Sequence, residues 1–311
     1  MSDLAAVYLA RAAHGVGPLR TFLESYRGNP GGVDHELVVI LKGFDDAAEL
    51  KQCRELLQPF PHRELRVSDD GVDLTAYYKA MLTLEFNYYC FLNSFSILCD
   101  PTWLRKLYTF AVASEVGIVG ATGSYESPFT DLLRQLSCGP SNSFRVQNLD
   151  QCPDRENRRR ARYPLLKRWL RAGYRIPALL KFAFRFPVFP NYHVRTNAFL
   201  LRRSLGVRLR WRETRSKGEA YLLESGRDGI TAQVMRMGLQ ALVVGRDGVA
   251  YDHNQWHNSN TFWHGDQGNL LVEDNQTRRN AHGAIETRSE LFLQAWGDRS
   301  NLWPSQRSNH G

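Results

Sequence analysis

The stretch ESGRD carries two carboxylates, Glu224 and Asp228, directly after an apolar run. A carboxylate beside a hydroxyl group can take its proton while the oxygen attacks another atom, which is general-base catalysis. Glu224 is the favoured base, and Asp228, four residues later, is predicted on the same helix face. Asp266, within HGDQGN, is the third candidate. The alternative explanation for Glu224 is a first-turn acid stabilised by the helix dipole, or a partner for Arg227.

A second group of polar residues follows the first four predicted strands. In chain order these residues are Arg11, Lys42, Ser68-Asp69-Asp70-Gly71 and Asn93-Ser94. The carboxyl ends of parallel strands meet at one edge of a sheet, where open α/β folds bind ligands. The sequence therefore predicts that these side chains converge. A solvated turn is the alternative for Asp69 and Asp70, because DDG is a good turn signal.

The elements that must position these residues alternate along the first third of the chain. Strands are predicted at 5–11, 36–42, 63–67 and 88–94 from their apolar runs. Helices are predicted at 18–27, which begins with a proline, and at 46–57. This alternation is typical of an α/β fold with a mostly parallel sheet flanked by helices. The chain has neither GxGxxG after the first strand nor GxxxxGK[ST], which argues against a dinucleotide dehydrogenase and a P-loop kinase.

Composition narrows the class of protein further. The 311 residues are 43% hydrophobic, which is enough to bury a substantial core. No apolar run reaches the roughly 20 residues that a membrane-spanning helix needs, and the first residues lack the basic region of a signal peptide. We therefore expect a cytoplasmic protein. The five scattered cysteines are interpreted as buried free thiols. The net charge of +8 indicates a polyanionic partner.

Much of that charge lies in a segment predicted as a basic helical insertion, 129–190. A helix there has an apolar stripe edged by arginines and lysines, formed by Leu165, Leu166, Trp169 and Leu170. This pattern is typical of an interfacial helix on an anionic lipid surface, and a lid packed on its own domain explains it equally well. Nucleic-acid binding is disfavoured, because no motif of that class accompanies the patch.

Four longer strings resemble a known family. YYCFLNSFSILCDPTWLRKLYTF followed by GIVGATGSYES resembles bacterial GT-A-fold glycosyltransferases related to the inverting family 2, in which a strand ends in an acidic DxD-type motif. FPNYHVRTNAFLLRR and AYLLESGRDGITAQVMRMGLQALVVGRDGVAYDH are similar to that family's acceptor-side half, where an acid stands at the start of a helix. The resemblance covers roughly 5–126 and 190–277 and implies a GT-A-like, Rossmann-like sheet.

The resemblance implies roles on the donor side. Arg11, Lys42, Asp69, Asp70, Asn93 and Ser94 would bind the donor, with the two aspartates accepting from the nucleobase or ribose. At the DxD position this chain has Asn93-Ser94-Phe95-Ser96, without the carboxylates that hold Mg²⁺ or Mn²⁺. A divalent cation would then have Asn93, Ser96 and His253 as weak ligands. Neutralisation by arginine or lysine is the alternative.

On the acceptor side, the resemblance implies roles for residues of the second half. His193, Arg195 and Asn197 would hold acceptor hydroxyls or phosphate, although a strand with alternating polar residues explains them almost as well. Trp256 would stack on a sugar ring, unless it belongs to the core.

Four regions are predicted: a nucleotide-sugar-binding half at 1–128, the insertion at 129–190, an acceptor-side catalytic half at 191–295 and a flexible tail at 296–311. The expected function is transfer of a sugar from a nucleotide-diphosphate donor to a glycan or lipid-linked acceptor, with inversion, for surface polysaccharide synthesis. Attachment to the inner membrane face is expected through the basic segment. The alternative is a non-catalytic nucleotide- or glycan-binding module of the same fold.

Overall fold

The computed structural model describes residues 2–137, 180–211, 214 and 216–297. The predicted interfacial helix around Leu165 and most of the predicted tail lie outside the described residues. No helix in the described ranges is both long enough and apolar enough to cross a bilayer.

An eight-stranded sheet forms the centre of the fold, in the order β11-β10-β6-β9-β4-β1-β2-β3. Its strands are β1 (Leu4–Arg11), β2 (Glu36–Lys42), β3 (Arg63–Val67), β4 (Tyr88–Leu92), β6 (Val116–Gly120), β9 (Ala198–Arg202), β10 (Gln240–Val244) and β11 (Ala250–Asp252). Two short ribbons pair β5 (Ile97–Leu98) with β12 (Val272–Glu273) and β7 (Gly123–Ser124) with β8 (His193–Val194).

Most neighbouring strands of the large sheet are parallel. β1 is parallel to β2 and β4, β2 to β3, and β6 to β10. β9 lies antiparallel between β4 and β6, and β11 is antiparallel to β10 at the edge. Strands from both predicted halves therefore form one continuous sheet.

Helices cover both faces of this sheet. They are α1 (Gly17–Gly28), α2 (Ala47–Leu57), α3 (Asp73–Thr83), α4 (Trp103–Ala111), α5 (Pro128–Ser137), α6 (Arg203–Gly206), α7 (Lys217–Ser225), α8 (Ile230–Arg236), α9 (Asn275–Ala281) and α10 (Ile285–Trp296), with helical backbone also at 180–185. Alternate residues of β1 point into different cores, as strand geometry requires. Ala5, Val7 and Leu9 pack with α3, α8 and α10. Tyr8 packs on the other face with α1, α2 and α4.

The fold class predicted from the sequence is confirmed: the chain is an α/β protein with a mostly parallel sheet flanked by helices. The predicted strands coincide with β1 to β4 within two residues, and the two predicted helices correspond to α1 and α2. Helix α3 was not predicted. Cys53 and Cys90 are buried free thiols, as expected.

Candidate functional site

The carboxyl end of β2 holds a buried lysine. Lys42 is only 1% exposed, and its ammonium group contacts the Asp69 carboxylate at 2.5 Å and the Asp69 carbonyl oxygen at 2.9 Å. The hydrogen bond from Lys42 lowers the pKa of Asp69, with a smaller contribution from Arg11. Asp69 and Asp70 are both exposed, but Asp69 is held in place by Lys42, with its second oxygen available.

Arg11, at the end of β1, joins this group to the start of α3. Its guanidinium lies 3.3 Å from Asp69 and 3.6 Å from Asp73, a residue that was not predicted to belong to the site. Desolvation raises the pKa of Asp73, and burial lowers the pKa of His14. Four polar atoms here are shielded from solvent without a hydrogen-bond partner: Arg11 Nε, His14 Nδ1, Asp73 Oδ1 and Tyr77 Oη.

The turn after β4 is closed by its own side chains. Asn93 Oδ1 accepts from the Phe95 N–H at 2.9 Å and from the Ser96 hydroxyl at 3.2 Å. The Ser94 carbonyl accepts from the Tyr8 hydroxyl at 2.7 Å, while its own hydroxyl is buried without a partner. The oxygen of Asn93 is therefore used inside the turn.

Asp274 lies against this turn and connects it to the second half of the chain. It caps α9 by accepting from the N–H groups of Gln276 and Thr277 through Oδ1. Its Oδ2 lies 3.5 Å from Asn93 Nδ2 and 3.9 Å from the Arg195 guanidinium. Asp274 was not predicted: an aspartate is a common N-cap residue, which marks the start of a helix but not a contact with Asn93 and Arg195.

Two glutamates, here named the carboxylate pair, lie beyond Arg195. Glu224 accepts from the Thr196 N–H through Oε1 at 2.8 Å, and Glu126 accepts from Gln294 Nε2 at 2.5 Å. Burial raises the pKa of Glu126, the negative charge of Glu224 adds to the shift, and Arg195 opposes it. Glu126 was not predicted, because its hydrogen-bond partner comes from the far end of the chain.

The side chain of Asn191 ties the two backbones of the carboxylate pair together. Its Nδ2 donates to the Glu126 carbonyl at 3.1 Å and to the Ser225 carbonyl at 2.7 Å. His193 is buried, and its Nδ1 lies 2.8 Å from the Asn191 carbonyl, which makes Nδ1 the protonated nitrogen of the neutral ring. Burial lowers the pKa of His193. The structure thus places His193 and Arg195 beside Glu224.

The other two predicted bases lie apart from this pair. Helix α7 ends at Ser225, so Glu224 lies in its last turn and Asp228 lies in the following connection. The prediction that the two share a helix face is wrong. Asp228 pairs with Arg236 at 3.0 Å. Asp266 is exposed in a loop, where Asn260 and the Gly268 N–H hold its carboxylate and lower its pKa.

Two aromatic or polar candidates belong to the interior. Trp256 is 0% exposed and its indole N–H donates to the Tyr251 carbonyl, so no ring face is available to a sugar. The expected stacking role of Trp256 is wrong for this reason. Asn197 is buried and accepts from the Thr122 hydroxyl at 2.7 Å.

The predicted ligands do not assemble a cation site. Across the described ranges no three residues of the histidine, cysteine, aspartate and glutamate types form a group that could hold a metal ion. The His253 ring contacts Tyr192 and Asp252, whereas Asn93 and Ser96 bind each other. Asp274 Oδ1 is used by the cap of α9, and Arg195 stands near Oδ2. Hard-oxygen coordination of Mg²⁺ or Mn²⁺ does not fit this donor set.

Comparison with known proteins yields no family model and no curated protein that matches the chain. Among solved structures, S. aureus TarS (residues 1–349) is similar over 39% of this chain, at 11% identity and a TM-score of 0.31, with 35% of TarS covered.

Two further solved structures resemble similar shares of the chain. Glucosyl-3-phosphoglycerate synthase from Mycobacterium tuberculosis, in complex with Mn²⁺, UDP and phosphoglyceric acid, is similar over 38% of this chain and 42% of its own, at 15% identity and a TM-score of 0.29. The mannosyltransferase PcManGT from Pyrobaculum calidifontis, in complex with GDP-Man and Mn²⁺, is similar over 38% and 34%, at 12% identity and a TM-score of 0.30. The chain thus spans about a third to two fifths of the length of these proteins.

Proposed function

We propose that the protein is a glycosyltransferase that moves a sugar from a nucleotide-diphosphate donor to a hydroxyl of a glycan or lipid-linked acceptor. One observation carries this proposal: charged groups suited to a nucleotide and a carboxylate suited to a base lie along the same carboxyl edge of a parallel sheet. Lys42, Asp69 and Arg11 form one end of this edge. Asp274 and Arg195 connect it to the carboxylate pair at the other end.

At the donor end, Asp69 is the residue that reads the nucleotide. Lys42 and Arg11 both contact its Oδ1, which leaves Oδ2 to accept from a ring N–H or a ribose hydroxyl. Asp70 and Ser94 complete the donor-binding set.

At the acceptor end, Glu224 is the general base. Its Oε1 is held by the Thr196 N–H, so Oε2 takes the proton of the acceptor hydroxyl. The acceptor oxygen forms its bond to the anomeric carbon while the bond from that carbon to the phosphate oxygen breaks, and the electron pair leaves with the nucleotide. Attack opposite the leaving group inverts the anomeric centre. Arg195 and His193, which lie beside Glu224, orient the acceptor.

The test is turnover of a panel of UDP, GDP, CDP and dTDP sugars by the purified protein. Glu224→Gln is expected to lower the rate by at least about a hundredfold, the scale for removing a general base. Asp228→Asn is the matched control, because that acid lies in an exposed ion pair, and it should keep the wild-type rate. Absence of both turnover and binding across the panel would refute the transferase.

A second candidate function is a non-catalytic nucleotide- or glycan-binding module. The turn at 93–96, in which Asn93 bonds to Phe95 and Ser96, favours this binding module. The glycosyltransferases that the chain resembles have a DxD-type acidic motif at this position, and this turn has no carboxylate. Nucleotide affinity that persists in EDTA, without turnover and without any effect of Glu224→Gln, is the result that would select this candidate. Surface polysaccharide synthesis and attachment to the inner membrane face remain part of the first proposal, supported by the family resemblance and the basic charge.

A further inference from the structure

Arg278, on the last turn of α9, lies against the turn that replaces the DxD motif. Its guanidinium donates to the Phe95 carbonyl at 3.3 Å, and the side chain is half-buried. Phe95 also contacts the His14 ring, with a centroid distance of 4.7 Å. His14 follows β1 and Phe95 follows β4, and these strands are neighbours in the sheet. Arg278 therefore lies at the carboxyl edge between the donor end and Asp274.

The charge of Arg278 is compensated differently from that of the other arginines of this edge. Arg11 has two carboxylate partners, Asp69 and Asp73, and Arg195 has Asp274. Arg278 has no carboxylate oxygen within 4.0 Å among the residues that the structure describes, and its guanidinium donates instead to the neutral Phe95 carbonyl. A half-buried guanidinium with a neutral partner attracts an anion, and its fork of donors suits phosphate oxygens.

Unpartnered polar atoms of the same carboxyl edge point to the same kind of ligand. His14 Nδ1, Arg11 Nε and Ser94 Oγ are shielded from solvent without a hydrogen-bond partner. Buried polar groups are normally paired, so unpaired atoms along one edge of the sheet indicate a ligand that pairs them. Ring nitrogens, guanidinium and hydroxyl groups can all donate to oxygen.

We propose that Arg278 is the cation of a metal-independent diphosphate site: it binds the diphosphate of the donor and neutralises the charge that the nucleotide gains when it departs. This inference rests on the proposed function for its role in catalysis, but diphosphate binding can be measured without it. In the transfer step the bond between the anomeric carbon and the phosphate oxygen breaks, and its electron pair remains on that oxygen. A fixed guanidinium beside this oxygen lowers the barrier by electrostatic stabilisation.

The experiment measures binding of inorganic pyrophosphate, UDP and GDP by calorimetry in EDTA. Arg278→Ala is expected to raise the dissociation constants at least about tenfold, the loss of one charge-assisted interaction. Arg278→Lys should recover part of the affinity. Arg279→Ala is the matched control, since the neighbouring arginine is exposed on the same helix, and it should bind as the wild type does. Thermal unfolding of each variant verifies that it is folded.

The outcomes separate this inference from the proposed function. Turnover in EDTA that survives Arg278→Ala, or turnover that requires Mn²⁺, overturns the diphosphate site and leaves the transferase intact. Pyrophosphate binding that is lost in Arg278→Ala, in a protein without turnover of any sugar nucleotide, supports the diphosphate site and refutes the transferase. Equal losses of affinity in Arg278→Ala and Arg279→Ala would mean that general surface charge causes the effect, and this result would overturn the site.

Discussion

Asp131 shows how a single buried acid makes stability depend on pH. Its side chain is 6% exposed and lies 3.5 Å from Arg134. Burial raises the pKa of Asp131 from its ordinary value of 3.8 to about 7, with the charge of Glu126 adding to the shift and Arg134 opposing it. Between these two pH values, Asp131 of the folded protein therefore keeps a proton that the unfolded chain has already released.

Asp131→Asn is expected to stabilise the fold at pH 8 by up to a few kcal/mol, because each pKa unit is worth about 1.4 kcal/mol. The sign follows from the raised pKa of Asp131. Below about pH 4, Asp131 is protonated in both the folded and the unfolded state, so the variant is no more stable than the wild type. The stability gain of the variant then grows as the pH rises to about 7. Urea unfolding at pH 4, 6 and 8 measures it. Asp34→Asn, at an exposed position, should show no such trend; a pH-independent difference for Asp131→Asn would contradict the prediction.

At the scale of elements, α9 links stability to the site through its cap. Asp274 is 1% exposed, accepts from two N–H groups of α9 and faces Asn93 and Arg195 with its other oxygen. Asp274→Ala is expected to cost about 1–2 kcal/mol from the lost cap. It should also impair catalysis, because Arg195 loses its fixed partner. Urea unfolding and turnover of the sugar-nucleotide panel measure the two effects.

Asp46→Ala supplies the matched control for this helix cap. Asp46 caps α2 in the same way, by accepting from the N–H groups of Ala48 and Glu49, on an exposed part of the chain. The Asp46→Ala variant should lose a similar free energy of unfolding, while its turnover stays unchanged. If both variants keep wild-type turnover, Asp274 has a structural role alone.

The elements of the first third were predictable because their signals are local. A proline at the start of α1, the apolar runs of β1 and β2 and the strand-end charges at Arg11 and Lys42 can all be read from neighbouring residues. Helix α3 escaped prediction because no side chain caps its N-terminus. Glu126 and Asp274 escaped because their partners, Gln294 and Arg195, are distant in sequence, and the burial of Trp256 depends on packing that no local pattern encodes.

At the scale of the whole molecule, the two halves meet where β6 packs against α8. A methyl group on Gly117 would overlap Val234 Cγ1 and crowd Leu239, both from the second half. Gly117→Ala is therefore expected to destabilise the fold by about 1–3 kcal/mol, the usual cost of overpacking. Urea unfolding, followed by tryptophan fluorescence and by circular dichroism, measures the loss.

Both probes should report one coincident transition, because the halves share a single sheet. Gly28→Ala is the control, since a methyl group there meets no atom within 4 Å. Two separated transitions in the wild type would show that the halves unfold independently and would contradict this prediction.

The antiparallel strand β9 has a consequence for synthesis on the ribosome. β4 and β6 are made early, yet the strand that joins them ends at Arg202, and the other neighbour of β6 ends at Val244. Until those segments emerge, a nascent chain carries β6 with neither sheet neighbour and β4 with one bare edge. Unpaired edges recruit other chains. We therefore expect the first half of the nascent chain to be prone to pairing with other chains until β9 and β10 have been made.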